Sequence, residues 1–214
     1  MSKESKSDSP NKSRPRRHEN LPEKLLLAAE EILEENGLEG FSLRAVARRA
    51  GATHGAPAHH FGDSSGLLTA LAADGYRRLL GVQQARQSTA ENTPLAQLTA
   101  LGLGYVDFAI QHPTLFRLMF SSERPRREDP YFAEASMEVF NLLAEKVMQV
   151  SGKNSITEPE FMPSLMASWS MVHGLAELVI SGRAEGPLGF IGKSDVEREK
   201  VILAVIGKVD HSSE

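Results

Sequence analysis

Between Ser42 and Phe61 the chain carries Arg44, Arg48 and Arg49, then Thr53, His54, His59 and His60, with no Asp or Glu among them. Guanidinium groups neutralise phosphates, while hydroxyl and imidazole groups can hydrogen-bond the polar edges of bases. Gly55 and Ala56 are small enough to let a backbone approach closely. Such a set suits a surface that meets a nucleic-acid duplex. The same histidines invite a metal, but ligand pairs on one helix stand three or four residues apart and His54 to His59 is five. His59 and Asp63 are four apart, yet Gly62 is placed to end the helix between them, so no metal is expected.

The elements that must hold these groups follow from the apolar spacing. Ser42 is a good N-cap, and Leu43, Val46, Ala47 and Ala50 form one buried helical face that leaves the three arginines outside. Gly51 can take the left-handed conformation that turns the chain. Thr53 is expected to cap a second helix, from about His54 to His60, too short and too poor in large apolar residues to stand alone. Pro57 would fall at its fourth position and crowd Thr53. Two helices around a glycine turn make a helix-turn-helix, whose second helix enters the major groove; an ordinary surface hairpin is the alternative. An upstream helix, Pro22 to Asn36, supplies the stripe Leu25, Leu26, Ala29, Ile32 and Leu33, with Glu30, Glu31, Glu34 and Glu35 facing water away from DNA. The core of this unit is expected to take Leu25, Ala29, Ile32, Leu33, Leu38, Phe41, Leu43, Val46 and Phe61. Histidines facing phosphates gain charge as pH falls, so DNA binding should be tighter near pH 6 than pH 8.

Composition is compatible with this. The chain has 214 residues, no cysteine and a net charge of -4, so disulfides, thiolate chemistry and Cys-type zinc sites are excluded. The charge is unevenly spread: residues 1 to 20 carry an excess of Lys and Arg, and the acid is concentrated in the outer face of the first helix and beyond. A basic patch matters more than the total. No apolar run reaches the roughly 18 residues of a membrane span, and no signal-peptide core opens the sequence, so a cytoplasmic protein with no membrane partner is expected. Residues 1 to 20 read as a disordered basic tail, either simply solvated or an arm whose Arg14, Arg16 and Arg17 enter or flank a minor groove.

Downstream the pattern is helical throughout. Asp63 caps a helix to about Gln87 that is long enough to join two domains, and Pro94 opens another to Gln111. Short Thr114 to Phe120 follows the His112-Pro113 break, then the charged loop SSERPRREDP. Further helices run from about Pro130 to Val150, Glu160 to Ser181 and Ser194 to Val209. Tyr105, Phe108, Phe116, Met119, Phe120, Phe140, Trp169 and His173 could line an apolar ligand pocket or simply pack a core. Trp169 and His173, at i and i+4, each carry a polar atom that needs a partner when buried. A small, largely apolar ligand with one polar group would suit them. His173 and Glu177 alone do not make a hydrolytic centre, so neither enzymatic activity nor a cofactor is expected. Leu165, Met166, Val172, Leu175, Leu178 and Val179, with Val201, Ile202, Val205 and Ile206, make the last two long helices apolar enough to pair with symmetry mates; core packing is the alternative.

The run LLLAAEEILEENGLEGFSLRAVARRAGATHGAPAHHFGDSSGLLTAL resembles the TetR family of one-component transcriptional regulators. WSMVHG, Trp169 to Gly174, and HPTLFRLMFSSE resemble one subgroup's regulatory domain, with its Trp-x-x-x-His-Gly signature. The resemblance implies an all-α fold: a three-helix DNA-binding domain at residues 21–66, joined by a long helix to a helical ligand-binding and dimerisation domain at 67–214. It further implies a homodimer on a near-palindromic operator, a repressor released by a small effector, and Ser42, Thr53, His54, His59 and His60 close to DNA. Two positions depart from the family. Ala58 stands where a Tyr commonly touches phosphate, and Ser64 where a Lys commonly does. One lost Lys contact should lower the salt slope by about one unit. These departures motivate a second reading, a helical ligand-binding or adaptor protein that kept the fold and lost operator recognition.

Overall fold

The computed structural model describes residues 20–153 and 155–209. Arg14, Arg16 and Arg17 lie outside the described residues. Those described form an all-α fold, without strands, in the order α1 (Leu21–Asn36), α2 (Leu43–Arg49), α3 (Ala56–Phe61), α4 (Ser64–Thr89), α5 (Pro94–Gln111), α6 (Pro113–Phe120), α7 (Pro130–Ser151), α8 (Phe161–Ile180) and α9 (Asp195–Val209).

The starts of these helices follow from side chains that satisfy otherwise unpaired N–H groups. The Ser42 hydroxyl accepts from Ala45 N, Asp63 from Gly66 N, Thr93 from Ala96 N, and Asp129 from Tyr131 N and Phe132 N. At α3 the expectation fails. Thr53 is not the cap: Gly55 holds that position without a side-chain bond, and Thr53 contributes only its carbonyl, accepting from Ala56 N at 3.0 Å. Pro57 explains the shift. It sits at the second helical position, where an N–H has no intrahelical acceptor, so the donor it lacks is not missed. The premise of crowding against Thr53, a fourth helical position for Pro57, does not hold, and His54 falls in the turn before the helix. Gly51, at φ 63, takes the left-handed conformation that reverses the chain between α2 and α3.

α1 buries Leu25, Ala28, Ala29, Ile32 and Leu33 along one face. Val46 joins them from α2, while Leu38, Phe41, Leu43 and Phe61 are half-buried at the edge of the same core. α4, 26 residues and roughly 39 Å long, is shared. Leu67, Leu68 and Leu71 sit in one continuous core with α1, and Tyr76 and Leu79 sit in it with α5 and α6. α5 is the central helix of the larger unit, packed by α4, α7, α8 and α9. At the α4–α5 crossing a Cβ on Gly104 would come within 2.8 Å of the Gln83 Cα, so only glycine permits that approach.

Arginine-centred groups tie the elements together. Arg86 of α4 pairs with Asp107 of α5 at 2.6 Å and Glu199 of α9 at 2.9 Å. Arg78 of α4 pairs with Glu30 of α1 at 2.6 Å and donates to His112, between α5 and α6, at 3.0 Å. Arg126, in the loop between α6 and α7, reaches Asp63 at the start of α4.

Candidate functional site

Ser42, Arg44, Arg48, Thr53, His54, Gly55, His59 and His60 are all exposed on α2, the turn and α3. His59 and His60 meet edge to face, ring centroids 5.3 Å apart. One departure matters. Arg49, also exposed, is committed: its guanidinium donates to Glu31 at 2.8 Å and Glu35 at 2.6 Å, both on α1. Those acids stand one turn apart and present two carboxylates to the end of α2, and the Arg49 hydrogen bond holds the Glu35 carboxyl below its ordinary range. Arg44 and Arg48 form no such pair among the described residues. The outer face of α1 therefore does not simply point away from the motif, and the cations left available are fewer than the sequence suggests.

The second feature is a cavity of about 420 Å³ walled by α4, α5, α7 and α8 and touched by Ile206 of α9. Of the sequence candidates, Tyr105, Phe120, Phe140 and Trp169 line it, and its walls are mostly apolar. Phe108, Phe116, Met119 and His173 do not. Phe108 and Phe116 are wholly buried core residues, and the His173 ring stacks on Phe116 at 5.5 Å. The expectation that Trp169 and His173 need polar partners is met from within the protein. Trp169 Nε1 donates to the Tyr105 hydroxyl at 3.5 Å, and that hydroxyl lies 2.8 Å from His173 Nδ1. Burial raises the Tyr105 phenol above its ordinary range and lowers the His173 imidazole below its own, against a smaller opposing effect of Glu177. A protonated phenol donating to a neutral imidazole satisfies both.

Other lining residues were not among the sequence candidates. Tyr76, its phenol pushed up to about 12 by burial, donates to the Met119 carbonyl at 3.3 Å. Gln83, 3% exposed, donates through Nε2 to the Leu101 carbonyl at 3.3 Å, while its Oε1 has no partner. Phe132 and Ser136 precede Phe140 at four-residue steps along α7, a spacing visible in the sequence. Arg127 lines the cavity from the α6–α7 loop, and nothing in a run of loop charges marks it out.

Two family models match the two parts of the chain. One, described as bacterial regulatory proteins of the tetR family, matches residues 25–71; the other, a tetracyclin repressor-like C-terminal domain, matches residues 98–193. The chain belongs to the TetR family of transcriptional regulators. Its N-terminal helix-turn-helix is the family's DNA-binding domain, and its C-terminal helices are the family's second domain. The WSMVHG motif lies within the second match, whose description does not single out a Trp-His-Gly subgroup.

Among curated relatives of this TetR-family regulator, the HTH-type transcriptional regulator BetI of Burkholderia mallei (strain NCTC 10229) is 34% identical over 84 residues, covering 39% of this chain and 43% of BetI. The chain thus aligns with less than half the length of the curated relatives it matches. A solved structure from Rhodococcus sp. RHA1, described as a protein with unknown function, is 29% identical with a TM-score of 0.74 and covers 92% of this chain and 97% of that one. PfmR of Thermus thermophilus, described as a TetR family transcriptional regulator, shares the fold at 16% identity and a TM-score of 0.62, covering 89% of this chain and 98% of its own. No helix among the described residues is long and apolar enough to cross a membrane.

Proposed function

We propose that this regulator is a cytoplasmic repressor that binds a near-palindromic DNA operator as a homodimer and is released by a small, largely apolar effector held in the cavity. The division it requires, a DNA-reading unit over residues 21–66 and a regulatory unit from 67 onward, rests on α4 serving both. The observation that carries the reading is that α4 follows α3 after two residues and also walls the cavity through Tyr76 and Gln83. A change in the cavity has a rigid element through which to reach the recognition helix.

Ser42, Arg44, Arg48, Thr53, His54, Gly55, His59 and His60 are available for DNA because none is buried. Arg49 supports the same surface from behind, by anchoring α2 to α1. Dimerisation through the last two long helices is supported by α8, where Met162, Met166 and Leu178 stay exposed. Leu165, Val172 and Leu175 of α8, and Ile202 and Ile206 of α9, are instead consumed by the protomer's own core. The proposed interface is therefore narrower than the apolar count of the two helices implies. Size measurement in solution tests it, with a 23.4 kDa monomer at micromolar concentration as the contrary result.

The second reading, an adaptor without operator recognition, draws on Ala58 and Ser64 and now on the commitment of Arg49 to acids. Genomic footprinting separates the two. A repressor protects a near-palindromic site beside a regulated gene; an adaptor gives only weak, salt-sensitive, sequence-independent protection.

A further inference from the structure

Arg127 differs from its loop neighbours in what it faces. Arg126 is paired with Asp63, whereas Arg127 has no carboxylate partner among the described residues. Its Nη2 alone makes contacts, to the Phe120 carbonyl at 3.3 Å and the Ser122 carbonyl at 3.5 Å. The remaining N–H groups of the guanidinium, on Nε and Nη1, are left for another acceptor. The residue is exposed yet borders the cavity. No Asp, Glu, Lys or His lines that cavity among the described residues, so its charge is a single positive one set against aromatic and aliphatic walls.

The shape fits that charge. Tyr76, close enough to feel Arg127 electrostatically, and Gln83 are seven residues apart on α4, roughly 10 Å along the helix axis. The cavity is also lined by Tyr105 and Trp169, whose polar atoms already serve each other. Much of the cavity thus offers apolar surface, and the side formed by the α6–α7 loop offers a cation. A neutral ligand would gain little from the guanidinium, which water can solvate, and a cationic one would be repelled by it. An anionic oxygen pair matches the fork of a guanidinium.

We propose that the effector is an organic monoanion, with its apolar body against Trp169 and Phe140 and its carboxylate, or an equivalent oxyanion, on Arg127. This rests on the cavity being the effector site. It also places the anion on the residue next to Arg126, in the loop that holds the start of α4, since Arg126 N donates to Thr69 Oγ1 at 2.9 Å and Arg126 Nη2 to Asp63.

The test uses the full chain without DNA, titrated calorimetrically with two matched sets: decanoate, decanol and decylammonium, then 2-naphthoate, 2-naphthol and 2-naphthylmethylammonium, all below any micellar concentration. Emission from Trp169, the chain's single tryptophan, reports whether the cavity is filled. In at least one set the acid should bind stoichiometrically and roughly tenfold tighter than the alcohol, with the ammonium weakest. Arg127→Gln should erase that advantage and leave the alcohol unchanged, and Arg127→Lys should keep part of it. Equal binding of acid and alcohol, a preference for the ammonium, or an acid advantage that survives Arg127→Gln overturns the proposal while leaving the cavity as a ligand site. No saturable binding by any of the six overturns the ligand reading of the cavity and this proposal with it.

Discussion

Arg126 and Asp63 are joined at 2.5 Å, so a guanidinium from the α6–α7 loop grips the carboxylate that caps α4. Asp63 does two things at once. Its Oδ1 accepts from Gly66 N at 2.9 Å, and its Oδ2 accepts from Arg126. The Gly66 N–H and then the Arg126 guanidinium hold its carboxyl below the ordinary carboxylate range. Asp63 follows α3 by two residues, while Arg126 adjoins a residue of the cavity wall. The α6–α7 loop and the segment that joins α3 to α4 thus touch through this pair, besides the packing along the body of α4.

Replacing Asp63 separates its two roles. Asp63→Ser keeps a capping oxygen and loses the ion pair; Asp63→Ala loses both. The melting temperature should fall more for Ala than for Ser, because the cap acts on the helix itself while an exposed pair contributes little. Equal losses in the two variants would assign the stabilisation to Arg126 instead.

Gly104→Ala should destabilise by about 1–3 kcal/mol, the range for overpacking a close contact. The added methyl meets the Gln83 Cα, a backbone atom that cannot rotate away. Urea unfolding at constant m-value reads the change. An unchanged midpoint would contradict the tight crossing of α4 and α5.

The arginines of α2 should behave differently from one another. Arg44→Ala and Arg48→Ala should each weaken binding to any duplex and lower the salt slope by about one unit, as expected for a lost phosphate contact. Arg49→Ala should leave the salt slope near its original value, because its guanidinium is already bound to Glu31 and Glu35. Salt titrations of duplex binding measure all three, and a full unit lost with Arg49→Ala would show that Arg49 leaves its acids for DNA.

Two histidines give the fold a pH dependence. Burial, then the neighbouring Arg78 charge, lowers His112 below its ordinary 6.5 despite Glu30 and Glu34, and burial lowers His173 despite Glu177. A group whose folded pKa is depressed binds fewer protons folded than unfolded. Its contribution is therefore complete above pH 6.5 and is lost as pH falls toward the folded value. Protonation also removes the ring lone pair to which Arg78 donates. The melting temperature should drop between pH 7.5 and pH 5.5, and the drop should shrink in a His112→Gln, His173→Gln double variant. A drop of the same size in that variant would assign the effect to other groups.

The helical order and most of its boundaries are readable in the sequence because the caps are chemically plain: Ser42 and Asp63 stand where apolar periodicity begins, and Pro opens α5 and α7. The start of α3 is misplaced when Thr53, a good cap by type, is preferred over the constraint from Pro57, which belongs in a first helical turn and so brings the start to Ala56. Tyr105, Phe120, Phe140 and Trp169 can be found because aromatic residues at helical spacing must face something apolar. Phe108, Phe116 and His173 have the same spacing, and only tertiary packing separates the wall of a cavity from the core behind it. Arg127 and the Arg49 ion pairs stay hidden for one shared reason. A charge in a loop or on a helix surface reads as solvated until the element opposite it is known.

Under the proposed function, this TetR-family chain reads a particular DNA sequence. The decisive measurement selects duplexes from a random library with the full chain, then compares at fixed salt its affinity for the selected duplex and for a scrambled one of equal length. The expected result is a near-palindromic consensus bound by two chains, at least roughly 10³-fold tighter than the scrambled duplex. Equal affinity for both duplexes would contradict it.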